Sequence, residues 1–227
     1  MVTPSVIRGQ SPASCANRAA NICGVILAGG LSTRMQGQEK TLLDLGGKPL
    51  ISFVVARLQP QVAYLAINAN GDPTRFAGLG LPTIADKSPL NAGPLAGILV
   101  AMKWAKDKGY EDVVTVAGDT PFFPEDLVRR LGAEMRQSRK KVVVAASRTT
   151  GKGLTCHPPF GLWSVDLIDD LHQALLSGMR TVIAWVERQE FTTVVFDSAT
   201  HDPFFNINDP DDLAMANILV RNMQRYD

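Results

Sequence analysis

A glycine-bearing stretch between Leu27 and Lys40 carries the residue types that bind phosphate. Its sequence is Leu-Ala-Gly-Gly-Leu-Ser-Thr-Arg-Met-Gln-Gly-Gln-Glu-Lys. Gly29 and Gly30 let backbone N–H groups approach an anion closely, while Arg34 and Lys40 can make charge-assisted contacts to phosphate oxygens. The spacing matches neither a Walker A loop nor a complete GxGxxG motif. We interpret the stretch as a nucleotide-phosphate loop of another type, with a simple glycine-containing turn as the alternative.

Asp119 is the second candidate for chemistry, within the sequence Val-Ala-Gly-Asp-Thr-Pro at residues 116–121. The apolar run before it predicts a buried strand, so we expect its carboxylate at a strand end. Mg²⁺ takes one or two protein carboxylates together with phosphate oxygens of a substrate. Asp119 is therefore the predicted magnesium ligand, and an aspartate that only begins a turn before Pro121 is the alternative.

Asparagines occupy a third segment, Phe-Asn-Ile-Asn-Asp-Pro at residues 205–210. Either Asn208 or Asp209 can cap a helix that begins near Pro210. Capping by one of them leaves an asparagine, Asn206 or Asn208, available for a ligand.

Two more polar side chains, Asn68 and Asp86, follow other apolar runs, and Gly93 and Gly97 lie in the nearby sequence Gly-Pro-Leu-Ala-Gly. An aspartate can accept hydrogen bonds from the N1–H and exocyclic amine of guanine, and an asparagine can bond a base edge or a ribose. Turn formation is an equally natural role for both residue types.

The three histidines, His157, His172 and His201, form no arrangement typical of a nucleophile with its base, and GxSxG and HExxH are absent from the sequence. A phosphate acceptor is already largely ionised at neutral pH, because its second pKa is about 6, so it needs no general base. Catalysis would then depend on positioning, Mg²⁺ and cationic side chains.

From Ile22 onward, apolar runs alternate with helical periodicity. This alternation predicts a three-layer α/β/α fold with a mostly parallel sheet, in which ligands bind outside the carboxyl ends of the strands. The predicted strands are residues 25–28, 63–68, 113–117, 142–146 and 193–196. The predicted helices are residues 50–58, 94–108, 124–136, 165–176 and 210–222.

The length of 227 residues suits one domain, which we expect over residues 22–227, preceded by a flexible extension of residues 1–21. An Arg-rich transit peptide is the alternative for that extension. A net charge of +1 provides no field to attract nucleic acid or an anionic membrane, and no run of 18 apolar residues could span a bilayer. The cysteines, Cys15, Cys23 and Cys156, lack CxxC or zinc-ligand spacing, which predicts a reduced, cytoplasmic protein.

Four motifs taken together resemble the molybdenum cofactor guanylyltransferase (MobA) family, over about residues 22–222. They are, in order, Leu-Ala-Gly-Gly-x3-Arg-Met-x4-Lys, Gly-Pro-Leu-Ala-Gly, Gly-Asp-Thr-Pro and Phe-x-Asn-x-Asn-x-Pro-x-x-Leu. The resemblance implies a Rossmann-like nucleotidyltransferase fold. It also implies Mg²⁺-dependent transfer of GMP from GTP to the phosphate of molybdopterin-bound molybdenum, with release of pyrophosphate. The product would be the molybdopterin guanine dinucleotide cofactor.

The resemblance also implies roles for individual residues. The nucleotide-binding positions are Leu27, Ala28, Gly29, Gly30, Lys40, Asn68 and Asp86. The catalytic positions are Lys40, Asp119 and Arg34, with Asp119 as the Mg²⁺ ligand. Positions on the pterin side or at the closing of the site are Gly93, Gly97, Asn206 and Asn208. The implied partners are GTP, molybdopterin-bound molybdenum and, transiently, a molybdenum-insertion protein and acceptor molybdoenzymes.

Three alternatives stay open. A sister family that uses CTP typically reads Leu-Ala-Ala-Gly in its first loop and lacks Gly-Pro-Leu-Ala-Gly, so Gly29-Gly30 and the segment from Gly93 to Gly97 favour GTP. Nucleotidyltransferases acting on sugars or isoprenoid precursors share the first loop but not the whole set of motifs. The non-enzymatic alternative is a GTP-binding regulatory module, against which Lys40 and Asp119 argue together, because binding alone does not need a catalytic metal ligand.

Gln36 departs from the usual Arg-Met-Gly-Gly of the family, so we expect a different local path of the backbone there.

Overall fold

A central sheet organises the part of the chain that the computed structural model describes, residues 21–29, 39–85, 93–149, 153–197 and 202–223. Its strands are β1 Cys23–Leu27, β4 Tyr64–Asn68, β5 Thr83–Ile84, β6 Asp112–Ala117, β7 Val142–Thr149, β8 Gly153–Ser164 and β9 Phe191–Val195. They lie in the order β5-β4-β1-β6-β8-β7-β9. Two short strands, β2 Asp44–Leu45 and β3 Lys48–Pro49, form a separate antiparallel pair.

The middle of the sheet is parallel, and its strands end at one level. β1 lies between β4 and β6, with Leu27 paired to Asn68 on one side and to Ala117 on the other. β1 and β6 are rich in buried Val and Ile, as expected for parallel strands covered on both faces. Because these strands end together, the segments that follow them leave the sheet side by side.

Helices cover both faces of the sheet. They are α1 Leu50–Leu58, α2 Gly93–Asp107, α3 Leu127–Ser138, α4 Ile168–Leu176, α5 Val182–Val186 and α6 Pro210–Met223. α1, α3 and α6 bury side chains in one apolar cluster, and α2, α4 and α5 bury theirs in another. The predicted three-layer α/β/α architecture with a mostly parallel sheet is confirmed.

β8 is absent from the predicted strands, and it runs antiparallel to both of its neighbours, β6 and β7. Its sequence hides the strand because Pro158 and Pro159 interrupt the alternation of side chains. The register explains how the prolines are accommodated. Val144 of β7 pairs with Gly161, but the next residue pairs with His157, so residues 158–160 bulge out of the ladder.

Several other predicted boundaries were wrong. α3 begins at Leu127 rather than at residue 124, and its cap comes from Gln61, whose side-chain oxygen accepts from the Val128 N–H at 3.0 Å. Residues 165–167 form a 3₁₀ turn before α4, and the last strand covers Phe191–Val195. The five-residue α5 is too short to show a periodicity and was not predicted.

The predicted extension of residues 1–21 lies outside the described residues, except for the exposed Asn21. Among the helices in the described part of the chain, none combines the length and apolar content needed to cross a membrane.

Burial of Cys23 in β1 leads to a prediction about thiol reactivity. Burial raises the pKa of the Cys23 thiol to about 12, so at pH 8 only on the order of one molecule in 10⁴ carries the reactive thiolate. We expect iodoacetamide to alkylate Cys23 only after unfolding, as measured by peptide mass spectrometry with and without denaturant. Cys156 is partly exposed and serves as the internal comparison. Labelling of Cys23 in the folded protein as fast as Cys156 would contradict this expectation.

Candidate active site

Asp119 lies just beyond the carboxyl end of β6, after Gly118. The Gly118 N–H donates to the Leu27 carbonyl oxygen at 3.0 Å, which joins this turn to the end of β1. A Cβ at Gly118 would lie 2.9 Å from Thr41 Cγ2 and 3.2 Å from the Leu27 oxygen. Only glycine fits there without displacing a neighbour, so Gly118 lets the chain after Lys40 pack against the turn that carries Asp119.

Lys40 opens a 3₁₀ turn, Lys40–Leu42, at the same edge of the sheet. Its Nζ lies 3.8 Å from Asp119 Oδ2 and donates a hydrogen bond to Asn208 Oδ1 at 2.7 Å. The Lys40 and Asp119 side chains are 18% and 21% exposed. The structure thus brings together the predicted phosphate-binding lysine and the predicted metal-binding aspartate, with both still accessible to a ligand.

The segment of Asn206 and Asn208 closes against this pair. The Ile207 N–H donates to the Asp119 carbonyl oxygen at 3.0 Å, and the Asn206 side chain hydrogen-bonds to the Asp119 carboxylate. Asp209 is the helix cap, because its carboxylate accepts from the Asp212 N–H at 2.9 Å. Asn208 is therefore released from capping and binds Lys40 instead.

The Asp119 carboxylate lies in a poorly solvated position. Burial raises its pKa, while Lys40 and the hydrogen bonds from its own backbone, Thr120 and Asn206 lower it. A cation that approaches a desolvated carboxylate stabilises it strongly, because water no longer stabilises the negative charge. Its neighbours offer oxygen ligands, which suit a hard divalent cation.

The described residues do not form a complete metal site by themselves. They contain no group of three His, Cys, Asp or Glu side chains placed to hold a metal ion. One carboxylate fits an ion that takes most of its other ligands from substrate and water. The buried Thr41 hydroxyl, beside Lys40, has no hydrogen-bond partner among the described residues. The Thr41 hydroxyl is thus available at this edge of the sheet to form a hydrogen bond.

Asn68 lies at the carboxyl end of β4 and is buried. Its amide donates to the Ile84 carbonyl oxygen at 3.1 Å, and a Cβ at Gly97 would lie 2.7 Å from its Oδ1. Gly97 therefore allows the first turn of α2 to approach Asn68 closely. Asn68 holds β5 at the site edge and packs against α2, and its role in reading guanine or ribose stays a prediction.

The remaining predicted residues divide into two groups. Leu27, Ala28 and the exposed Gly29 lie at the end of β1, and Gly93 begins α2 with a φ of 56°, a left-handed conformation that glycine tolerates. Gly30, Arg34 and Asp86 lie outside the described residues, as does Gln36.

Glu39 and Arg75 form a contact that the sequence did not indicate. The Arg75 Nε lies 2.8 Å from Glu39 Oε2, in an ion pair rather than an aligned hydrogen bond, and its Nη2 donates to the Asn70 carbonyl oxygen. Burial raises the pKa of Glu39, and Arg75 opposes that shift. The pair connects the residue before Lys40 to the segment that follows β4. The two residues lie far apart in the chain, so only folding reveals the contact.

The sequence matches a known family over most of its length. The profile of the MobA-like NTP transferase domain covers residues 24–191. The chain belongs to this family. A molybdenum cofactor guanylyltransferase of Mesorhizobium japonicum is 45% identical over 208 residues, which cover 89% of this chain and 98% of that protein. One from Bradyrhizobium sp. is 42% identical over 200 residues, which cover 87% of this chain and 92% of that protein.

Solved structures agree with the nucleotidyltransferase fold of this MobA-like NTP transferase. A molybdopterin-guanine dinucleotide biosynthesis protein A from Archaeoglobus fulgidus superposes with a TM-score of 0.66 at 24% identity, covering 88% of this chain and all of that one. A 4-diphosphocytidyl-2C-methyl-D-erythritol synthase from Anaerococcus prevotii gives 0.69 at 14% identity, covering 89% and 99%. At these identities the likeness concerns the fold alone. The Rossmann-like nucleotidyltransferase fold expected from the sequence is confirmed.

The close approach of Gly118 to Thr41 leads to a prediction about stability. Gly118→Ala should lower the free energy of unfolding by about 1–3 kcal/mol, because the new methyl group overpacks the turn. Gly78→Ala is the matched control, since a Cβ there meets nothing within 4 Å. Urea unfolding of both variants tests the expectation, and an equal effect of the two substitutions would contradict it.

The Glu39–Arg75 pair leads to a second prediction. Arg75→Gln should lower the free energy of unfolding by about 1–2 kcal/mol, because it leaves the Glu39 carboxylate, 20% exposed, without its cation. The double variant Glu39→Gln/Arg75→Gln should recover part of that loss. Lys141→Gln is the control, because its pair with Asp166 has both side chains more than half exposed and should contribute under about 0.5 kcal/mol. Additive effects in the double-mutant cycle would show that the pair is not coupled.

Proposed function

We propose that this protein transfers GMP from GTP to the phosphate of molybdopterin-bound molybdenum, forming the molybdopterin guanine dinucleotide cofactor. The observation that carries the proposal is the contact of Lys40 with Asp119 and Asn208 at the carboxyl edge of the sheet. Relatives more than 40% identical over nearly the whole chain, named molybdenum cofactor guanylyltransferases, support the choice of GTP and acceptor.

The reaction is a substitution at the α-phosphorus of GTP. An oxygen of the acceptor phosphate forms the new P–O bond, the bond to the β-phosphate oxygen breaks, and pyrophosphate leaves with the bonding electrons. The acceptor oxygen is already ionised near neutral pH, so the chain supplies no general base. Its task is to align two anions that repel each other.

Lys40 brings positive charge to the nucleotide phosphates in this proposal. The backbone of residues 27–29 lies beside them, with the Ala28 N–H already donated to the Asn68 carbonyl oxygen and Gly29 exposed. The ammonium group has three donors, of which Asn208 accepts one, so donors are left for phosphate oxygens. Asp119 would hold Mg²⁺, which when bound neutralises charge on the phosphates as it develops. Asn206 and Asn208 keep the carboxylate and the ammonium group oriented while the substrates enter.

Transfer of the product to other proteins completes the proposal. The cofactor is labile, so direct delivery would protect it, and we infer transient contacts with a molybdenum-insertion protein and with acceptor molybdoenzymes.

We place the reaction in the cytoplasm. The two cysteines in the described part of the chain are both free thiols, which suits a reducing compartment.

The identity of the product tests this function. Purified protein is incubated with Mg²⁺ and intact molybdenum cofactor, with GTP or CTP in parallel, and the product is analysed by mass spectrometry. We expect a guanine dinucleotide from GTP and none from CTP. A cytosine dinucleotide would assign the chain to the sister activity. No dinucleotide from either, with GTP still bound, would favour another acceptor or a non-catalytic GTP-binding module.

Substitutions of the two charged residues lead to a prediction about catalysis. Asp119→Ala should abolish Mg²⁺-dependent turnover, and Lys40→Ala should lower kcat by about 10²–10³-fold, because each removes a preorganised charge. Lys103→Ala and Asp169→Ala, at exposed positions on α2 and α4, are the controls and should leave kcat unchanged. Initial rates of pyrophosphate release measure the effect. Turnover near that of the wild type in either site variant would overturn the assignment.

A further inference from the structure

We propose that His157 is a positioning residue of this site, holding the segment of Asn206 and Asn208 against Asp119 and Lys40. Its catalytic consequence rests on the proposed function, but the contacts that carry it do not. His157 lies on β8 and acts through the ring of Phe204.

The bulge in β8 determines where His157 lies. Residues 158–160 leave the ladder with β7, so the strand on either side of them is displaced in register. β6 anchors the bulge, because Thr115 Oγ1 donates to the Pro159 carbonyl oxygen at 2.8 Å and accepts from Trp163 Nε1 at 2.8 Å. Bulges commonly re-aim a side chain next to a functional site. Here His157 lies at the residue where pairing with β7 resumes.

Two contacts then hold the imidazole ring. His157 Nε2 hydrogen-bonds to Ser147 Oγ of β7 at 2.8 Å, and Ser147 is almost completely buried. The ring stacks on Phe204, with centroids 4.3 Å apart and planes 25° from parallel. Burial lowers the pKa of His157, and Asp202 opposes that shift, so burial favours the neutral ring.

Phe204 transmits this constraint to the site. It packs edge-on against Phe160 and Phe196, with centroids 4.9 and 5.8 Å away, and its N–H donates to the Asp202 carboxylate. Only Phe205 separates Phe204 from Asn206. A shift of the Phe204 ring therefore displaces the backbone that binds Asp119.

A histidine that only fills the core would affect stability without affecting the site. The two roles are separable because the Ile207 amide reports the contact with Asp119, through its bond to the Asp119 carbonyl. The Asn208 amide reports the order of the segment itself, through its bond to the Asp212 carboxylate. Val186→Ala, in the apolar cluster on the opposite face of the sheet, supplies a variant destabilised elsewhere.

The experiment compares His157→Ala, Ser147→Ala, the double variant Ser147→Ala/His157→Phe, and Val186→Ala. The double variant keeps an aromatic ring on Phe204 and removes the hydroxyl that would crowd it. Hydrogen exchange of the Ile207 and Asn208 amides, kcat for dinucleotide formation, KM for GTP and Tm are measured for each.

We expect His157→Ala to accelerate exchange at both amides about tenfold and to lower kcat about tenfold, with KM for GTP changing less than about threefold. The double variant should restore exchange and kcat to within about threefold of the wild type, because the stack is retained. Ser147→Ala should fall between them. Val186→Ala should lower Tm with neither local effect.

The proposal is overturned if His157→Ala affects exchange and kcat no more than Val186→Ala does at a similar Tm. It is also overturned if the ring in the double variant restores neither quantity. If the wild type forms no dinucleotide, the proposed function fails, and the exchange data alone decide the role of His157.

Discussion

The rest of the candidate site depends on one interaction, in which the ammonium group of a partly buried lysine contacts both a carboxylate and an amide. Lys40, Asp119 and Asn208 come from three separate parts of the chain and meet at one edge of the sheet. A charged group that is partly removed from water needs its partners nearby. Displacing any one of the three segments would therefore leave a desolvated group without its partner. The contact of 3.8 Å to Asp119 is longer than a hydrogen bond, which leaves the ammonium group able to bind a phosphate.

Close backbone approach makes this meeting possible. β1, β4 and β6 end level with one another, so the residues that follow them are already neighbours. Gly118 then admits Thr41, and Gly97 admits Asn68, at distances that a Cβ would forbid. These glycines matter because they lack a Cβ, so that a neighbouring side chain can pack directly against their backbone.

Contacts from two sides keep the edge in place. On one side the Glu39–Arg75 pair connects the segment of Lys40 to the chain after β4. On the other side the bulge of β8 brings His157 onto Phe204, behind the segment of Asn206. The charged groups of Lys40 and Asp119 lie between them, in a reaction in which phosphates supply most of the charge. The protein then needs to orient its charges more than to add to them.

Much of the fold and of the candidate site follows from the sequence alone. Alternating apolar runs predicted the parallel strands and five of the helices. The glycine-bearing stretch predicted Lys40, the end of a strand predicted Asp119, and the segment before a helix predicted the asparagines, because these signals are local. Only the tertiary structure decided that Asp209 caps α6 while Asn208 binds Lys40, since both residues suit either role. β8, the Gln61 cap of α3 and the Glu39–Arg75 pair were equally inaccessible. The cap and the ion pair join residues distant in the chain, and two prolines hide the strand β8, so packing rather than local propensity determines these features.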